Sequence, residues 1–204
     1  TGTSVFSPNA LNSPTDGTQV TTGLPTDLSI YKARDANSSW QWQDRLRGLP
    51  PSSGTGSPAL YSDATAAESS NYTGYNYWNT GFLTANGNNN IWYTLGRAPS
   101  VFDVVCYTGT GASLALTHNL SVSPELVISK QRSGVYDWTV YSSARGTSNT
   151  LFLNLANAET AYTSVSAVTA TTFTVEGVAS ASGQTFVAYP VSYTHLRAHE
   201  TPEH

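Results

Sequence analysis

The sequence predicts an all-β protein, built as two tandem homologous antiparallel β-sandwich-like repeats of about ninety residues. Three observations carry this. Short runs rich in β-branched and aromatic residues recur at roughly ten-residue spacing, each bounded by Gly, Pro, Asn or Ser. Helix-period patterns are nearly absent. The chain also matches itself at a near-constant offset over long stretches, the signature of a repeated structural unit.

Taken in order, the first strand signal with clear parity is Leu28-x-Ile30-x-Lys32-x-Arg34. Its four residues share one face of a strand. Leu and Ile are expected where a core begins, and Lys and Arg where that face reaches the rim and long stems keep their charge in water. Trp40 opens the returning strand of a hairpin, with a possible stack on the preceding basic residue. Gly48, after Arg47, reads as a turn glycine at positive φ. Leu49 to Gly56 is a Pro/Ser/Gly-rich insertion. Ala64-Thr65-Ala66-Ala67-Glu68 has room for one helical turn, Asn86 to Asn90 reads as a hairpin tip, and Ile91 to Leu95 as a strand.

Beyond Ala98-Pro99-Ser100, strands are expected at Val101 to Tyr107, Ser113 to Thr117, Leu126 to Lys130 and Asp137 to Ser142. Thr150 to Asn154, Thr172 to Val175 and Gln184 to Tyr189 follow. Ala156-Asn157-Ala158-Glu159 again has room for a single helical turn. Cys106 sits inside a strand pattern and reads as a buried, inert thiol.

The self-match is concrete. At an offset of 98, Leu28, Ile30, Lys32, Arg34, Trp40, Arg47 and Gly48 meet Leu126, Ile128, Lys130, Arg132, Trp138, Arg145 and Gly146 without a gap, and Asp27 meets Glu125. An offset of 91 pairs Ala67-Glu68 with Ala158-Glu159 and Phe82 with Phe173. An offset of 94 places Ile91 to Leu95 on Thr185 to Tyr189. The expected organisation is residues 1–98 as the first repeat, 99–190 as the second, and 191–204 as a non-native tail. With no initiator Met or leader, the chain reads as a piece of a longer protein.

Composition narrows the function. Ser, Thr and Asn make up one third of the chain, whereas 11% of residues are charged and the formal net charge is −4. Nine Lys and Arg give no broad basic surface for a phosphate backbone, which argues against nucleic acid. No apolar run approaches the length of a membrane span. One cysteine excludes an internal disulfide, and the Cys/His spacings of a zinc module are missing.

Catalytic and metal chemistry find little to work with. His195 and His199 stand at i, i+4 beside Glu200, Glu203 and His204, but Pro202 spoils a helix there and a metal site is not expected. His118 lies in a turn, either satisfied or solvent-exposed, with no oriented nucleophile. Asp103, Glu125, Asp137 and Glu159 could in principle form a glycosidase-like acid pair. Recurrence of Asp27/Glu125 and Glu68/Glu159 in both copies fits a structural job better, such as pairing the repeated Arg or Lys. No enzyme activity and no cofactor are expected. Asn71-Tyr72-Thr73-Gly74-Tyr75-Asn76-Tyr77-Trp78-Asn79 is the one candidate binding patch. Tyr72, Tyr75, Tyr77 and Trp78 either stack on sugar rings or plug the sandwich.

Several phrases carry a family resemblance. Pro124 to Arg132, Asp137 to Tyr141 and Gly183 to Tyr189 together resemble an uncharacterised tandem β domain of phage tail-fibre-like virion proteins. Thr22 to Leu28 with Asp44 to Gly48 is similar to the other variant of that repeat. Arg97-Ala98-Pro99 with Phe102 to Val105 and Tyr107 to Gly109 resembles the junction between copies. The first copy carries Thr3 to Phe6 where the family has a Phe-Asp-Val-Val opening. Residues 192–204 resemble a translated sequencing adapter of metagenomic origin. The resemblance implies arrays of such domains in marine phage proteins, sometimes beside concanavalin-like modules, with no assigned active site. It implies an extracellular virion location and a structural or adhesive role in host attachment. The implied partners are other virion proteins or copies of itself, trimeric by analogy alone, and a host-surface glycan. A carbohydrate-binding module of a secreted enzyme or adhesin is the alternative, with Tyr72 to Trp78 as its platform.

Overall fold

The computed structural model describes residues 5–12, 14–15, 18–48, 57–72, 77–78, 80–84 and 88–193. Their regular structure is antiparallel strand with three short 3-10 turns, and they fall into two compact units, Thr1–Arg97 and Ala98–His204.

The first unit holds β1 (Phe6–Leu11), β2 (Gln19–Thr21), β3 (Leu28–Ala33), β4 (Gln41–Asp44), β5 (Ser57–Tyr61), β6 (Ser69–Tyr72), β7 (Tyr77–Trp78), β8 (Gly81–Leu83) and β9 (Asn90–Leu95). Six of these form a sheet in the order β1-β9-β3-β4-β5-β6, and the other three a sheet β2-β8-β7. Val20 of β2 and Phe82 of β8 pack on Tyr31 of β3 and Trp92 of β9. The Trp92 ring lies 4.0 Å from Tyr31 and 4.1 Å from Phe82, centroid to centroid, with near-parallel planes. Such aromatic burial supplies much of the favourable free energy of a small sandwich. The buried Tyr31 hydroxyl donates to Gln41 Oε1 at 2.7 Å, so it costs no unsatisfied polar group.

The second unit holds β10 (Val105–Thr108), β11 (Leu114–Thr117), β12 (Leu126–Gln131), β13 (Thr139–Ser142), β14 (Leu151–Phe152), β15 (Val165–Val168), β16 (Thr172–Val175) and β17 (Thr185–Val191). Its sheets run β10-β17-β12-β13-β14 and β11-β16-β15. Leu116, Val165, Phe173 and Val175 of the smaller sheet meet Val127, Tyr141 and Ala188 of the larger. The two units have similar strand orders, with β6 an additional strand in the larger sheet of the first. Neither Ala64 to Glu68 nor Ala156 to Glu159 is helical; the 3-10 turns fall at Arg45–Arg47, Ser143–Arg145 and Gly177–Ser180 instead.

Backbone register sharpens the self-match. Leu28 faces Leu95 across β3 and β9, while Leu126 faces Val191 across β12 and β17. Ile91 to Leu95 therefore correspond to Val187 to Val191, an offset of 96 rather than 94. Both offsets preserve strand parity, so side-chain pattern alone does not separate them. At the offset of 96, Val5-Phe6 meets Val101-Phe102, while Ser7-Pro8-Asn9 stands against Asp103-Val104-Val105, so the first copy keeps only the Phe of that opening. Gly96 N donates to Val5 O as Ser192 N donates to Val101 O. Phe6 stacks on Tyr93 at 6.0 Å as Phe102 stacks on Tyr189 at 6.4 Å. The ordered unit also runs past Pro190: Val191 is the last residue of β17, and Tyr193 N donates to Glu125 Oε2 at 2.8 Å.

The Leu-x-Ile-x-Lys face does not point between the sheets, although Leu28 on it is buried. Tyr31 and Val127, of the opposite parity, point between the sheets, and Ile30 and Ile128 are half-buried on the other side. The reason is the aromatic content of the facing sheet: Phe82 and Phe173, fully buried, demand partners that the Ile side chains do not reach. Lys130, expected at the rim, is fully buried. Its ammonium donates to Tyr136 O at 2.8 Å, and burial pushes its pKa down to about 8, against an opposing pull from Asp137.

This lysine makes a testable pH signature. Between its folded pKa and the unfolded value near 10.5, the unfolded chain binds more protons than the folded one, so stability rises with pH across that window. Burial raises Tyr107 and Tyr141, whose unfolded hydroxyls ionise near pH 10 and reverse the trend above it. Urea unfolding of the second unit at pH 7.5, 8.5 and 9.5 should show increasing stability, at most about 1 kcal/mol per pH unit. Lys130→Met should flatten that rise.

Candidate functional site

The acids that recur between the copies have structural work. Asp27 Oδ2 accepts from Arg97 N at 2.7 Å and Glu125 Oε2 accepts from Tyr193 N, so each acid holds the residue two places beyond the end of the last strand. Arg47 pairs with Glu68 at 2.9 Å and Arg145 with Glu159 at 3.5 Å, the repeated arginine meeting the repeated glutamate in both units. Gly48 and Gly146 take positive φ, at 103° and 74°, where the chain leaves each 3-10 turn. Asp103 accepts from Val104 N and Asn119 N, tying the start of β10 to the turn after β11.

His118 is buried and satisfied at both ring nitrogens. Nδ1 accepts from Leu120 N and Nε2 donates to Thr169 O, each at 3.2 Å. A ring held this way has no lone pair to offer as a general base. Cys106 is half-buried on β10, more open than its strand pattern predicted. Trp42 and Trp138 are buried, whereas Trp40 is half-buried and stacks on Tyr93. The cation over Trp40 is Lys32, 5.9 Å from the ring, and not Arg34, whose guanidinium binds Leu11 O and Asn12 Oδ1.

Of the aromatic patch, Tyr72 ends β6 and Tyr77 and Trp78 form β7. Tyr75 lies outside the described residues, as do His195, His199, Glu200, Glu203 and His204. Among the described residues no group of three His, Cys, Asp or Glu is arranged to hold a metal ion, and no helix is long and apolar enough to cross a membrane.

Among the described residues a concave site lies inside the second unit. A pocket of about 320 Å³ is lined by Tyr136, Asp137, Phe152, Thr160, Ala161, Tyr162 and Val178. Three chain segments build it: the loop from β12 to β13, the end of β14 with the stretch after it, and the 3-10 turn at Gly177–Ser180. Trp138 N donates to Asn154 Oδ1 and Leu153 N donates to Trp138 O, which locks the first two segments together. Tyr162 is set by Val178 N, which donates to its hydroxyl. A Cβ at Gly177 would land on that hydroxyl, so glycine is what lets the ring seat there. Asp137 Oδ1 accepts from Asn154 Nδ2 at 2.7 Å. Behind the pocket a water-sized space of about 10 Å³ shares Tyr136, Asp137 and Val178 with it.

Exposed apolar side chains adjoin the lining residues in the chain. Val135 is 70% exposed, and Tyr136, Leu153 and Leu155 are exposed as well. Exposed large hydrophobics on two segments tied together by hydrogen bonds are the kind of residues that mark a contact surface. A signal for this site stands in the repeat itself. At the offset of 98, Val135-Tyr136-Asp137 replaces Asn37-Ser38-Ser39 between otherwise matching flanks. A turn that gains two large apolar residues and an acid in one copy departs from turn chemistry.

No curated protein and no solved structure matches the chain. Residues 52–195, more than two thirds of it, match the family described as a domain of unknown function, DUF7483. That span holds the pocket and the last strand β17 with the Glu125 contact that follows it, and the chain belongs to the DUF7483 family.

Proposed function

We propose that this chain is a non-catalytic structural and adhesive module of a phage tail-fibre-like virion protein, its two units being tandem copies that present contact surfaces outside the particle. The open pocket of the second unit, with Tyr136 and Asp137 where the first copy has Ser38 and Ser39, carries the reading. Supporting it are the low charge, the hydroxyl-rich strands suited to exposure, and the structural employment of the repeated acids and of His118. Partners on this reading are other virion proteins, further copies of the chain and a host surface. Immunogold labelling of purified particles with an antibody to residues 98–193 is the test. Label on the tail supports the proposal, whereas particles without label and tail-unrelated neighbouring genes overturn it.

The second reading is a carbohydrate-binding module. The density of Tyr72, Tyr75, Tyr77 and Trp78 among Asn and Thr favours it. Binding on a glycan array should then fall at least tenfold on Trp78→Ala. Unchanged binding would remove this patch as the platform.

A further inference from the structure

We infer that the pocket of the second unit seats the cationic end of a lysine or arginine side chain from a polypeptide partner. Three aromatic residues, Tyr136, Phe152 and Tyr162, line it together with one carboxylate, Asp137. Ring faces carry negative potential, and with the carboxylate they make a receptor of one sign, suited to a cation. Asp137 spends Oδ1 on Asn154 Nδ2 and is half-exposed, so the carboxylate is open to a ligand as well. A guanidinium or ammonium makes a charge-assisted hydrogen bond to such a group.

The segments that line the pocket bear on the rest of the ligand. Val135, Leu153 and Leu155, exposed next to lining residues in the chain, offer aliphatic surface and no side-chain hydrogen-bonding group. The methylene stem of a basic side chain, and the apolar residues beside it in a peptide, gain from burial there.

Charge within the site limits the affinity. Lys130 lies on β12 beneath the loop and offsets part of the Asp137 charge, but its ammonium is directed at Tyr136 O. No other basic residue lines the pocket. One side chain in such a setting binds weakly, and a fibre that repeats the contact gains by multivalency. The inference deepens the reading of the chain as a contact module by naming the partner's chemistry, and its test does not depend on the virion.

The experiment is an amide NMR titration of the full chain with three probes: Nα-acetyl-arginine-N-methylamide, its norleucine counterpart and methyl β-glucopyranoside. The arginine probe should shift the amides of residues 135–137, 152–154 and 160–162 and leave the first unit in place. The norleucine probe and the glycoside should shift none of them. Asp137→Asn, which keeps an acceptor for Asn154, should weaken the arginine probe at least tenfold. Tyr136→Ala should weaken it several-fold while the remaining amide dispersion persists. Equal response to norleucine, preferential response to the glycoside, or an unchanged affinity in Asp137→Asn each overturns the inference. Absence of the protein from virions would instead overturn the proposed function and leave this result standing.

Discussion

Arg47→Ala should destabilise the first unit by about 3–5 kcal/mol, measured as a shift of its urea transition. The Arg47 side chain is fully buried. Its guanidinium pairs with Asp44, reaches Glu68 at 2.9 Å and donates to Trp42 O at 2.8 Å. Its backbone N–H also donates to Asp44 Oδ1. Truncation leaves a buried carboxylate and a buried carbonyl without their cation, and that uncompensated charge is the main cost. The equivalent change in the second unit, Arg145→Ala, should cost no more than about 0.5 kcal/mol. Its pair with Glu159 is longer, at 3.5 Å, and the arginine side chain is 59% exposed. Equal effects in the two units would show that burial does not set the strength of this repeated contact.

Gly109→Ala should cost the second unit about 3 kcal/mol. A Cβ at 109 would fall within 2.9 Å of three backbone atoms, Ala181 O and Ser180 C and O. Backbone gives way less easily than a side-chain end, and this stretch is anchored. Gly109 N donates to Gln184 O, Gly183 N donates to Gly109 O, and neighbouring Ala179 belongs to the core. Gly146→Ala is the control, since its φ of 74° carries conformational strain with nothing within 4 Å of a new Cβ. That change should cost about 1–2 kcal/mol. Thermal or urea unfolding of both variants checks the order, and a Gly109→Ala protein as stable as the wild type would refute the steric account.

How far the sequence spoke differs between elements, for physical reasons. Alternating β-branched and aromatic runs between turn residues announced most strands, because strand periodicity is local. Strand ends were less visible. The Asp137 to Ser142 run begins its ladder only at Thr139, and Thr150 to Asn154 contracts to Leu151–Phe152. Pairing with a neighbour sets those limits, and the neighbour is far away in the chain. Val165–Val168 escaped notice, since Val-Ser-Ala-Val carries no aromatic residue and its turn signals are weak. The pairing of Arg47 with Glu68 and of Arg145 with Glu159 was readable as a recurrence, because two offsets carried both partners together.

The pocket was the least readable part. Its walls come from residues 136–137, 152, 160–162 and 178, which no single periodicity links. Asp137 reads as a strand start and as one of four candidate acids, and only the contrast of Val135-Tyr136-Asp137 with Asn37-Ser38-Ser39 singles the turn out.

By itself the sequence determined the all-β class, the glycine-ended Arg turns and the shared phrases of two copies. These follow from local sterics and from parity, which a linear chain displays directly. Tertiary structure alone decided which parity faces inward, where the last strand pairs, and that Lys130 is buried whereas Lys32 is not. Such choices depend on what lies across the sheet. They are settled by contacts between residues far apart in the chain, and the pocket at Asp137 is a product of those contacts.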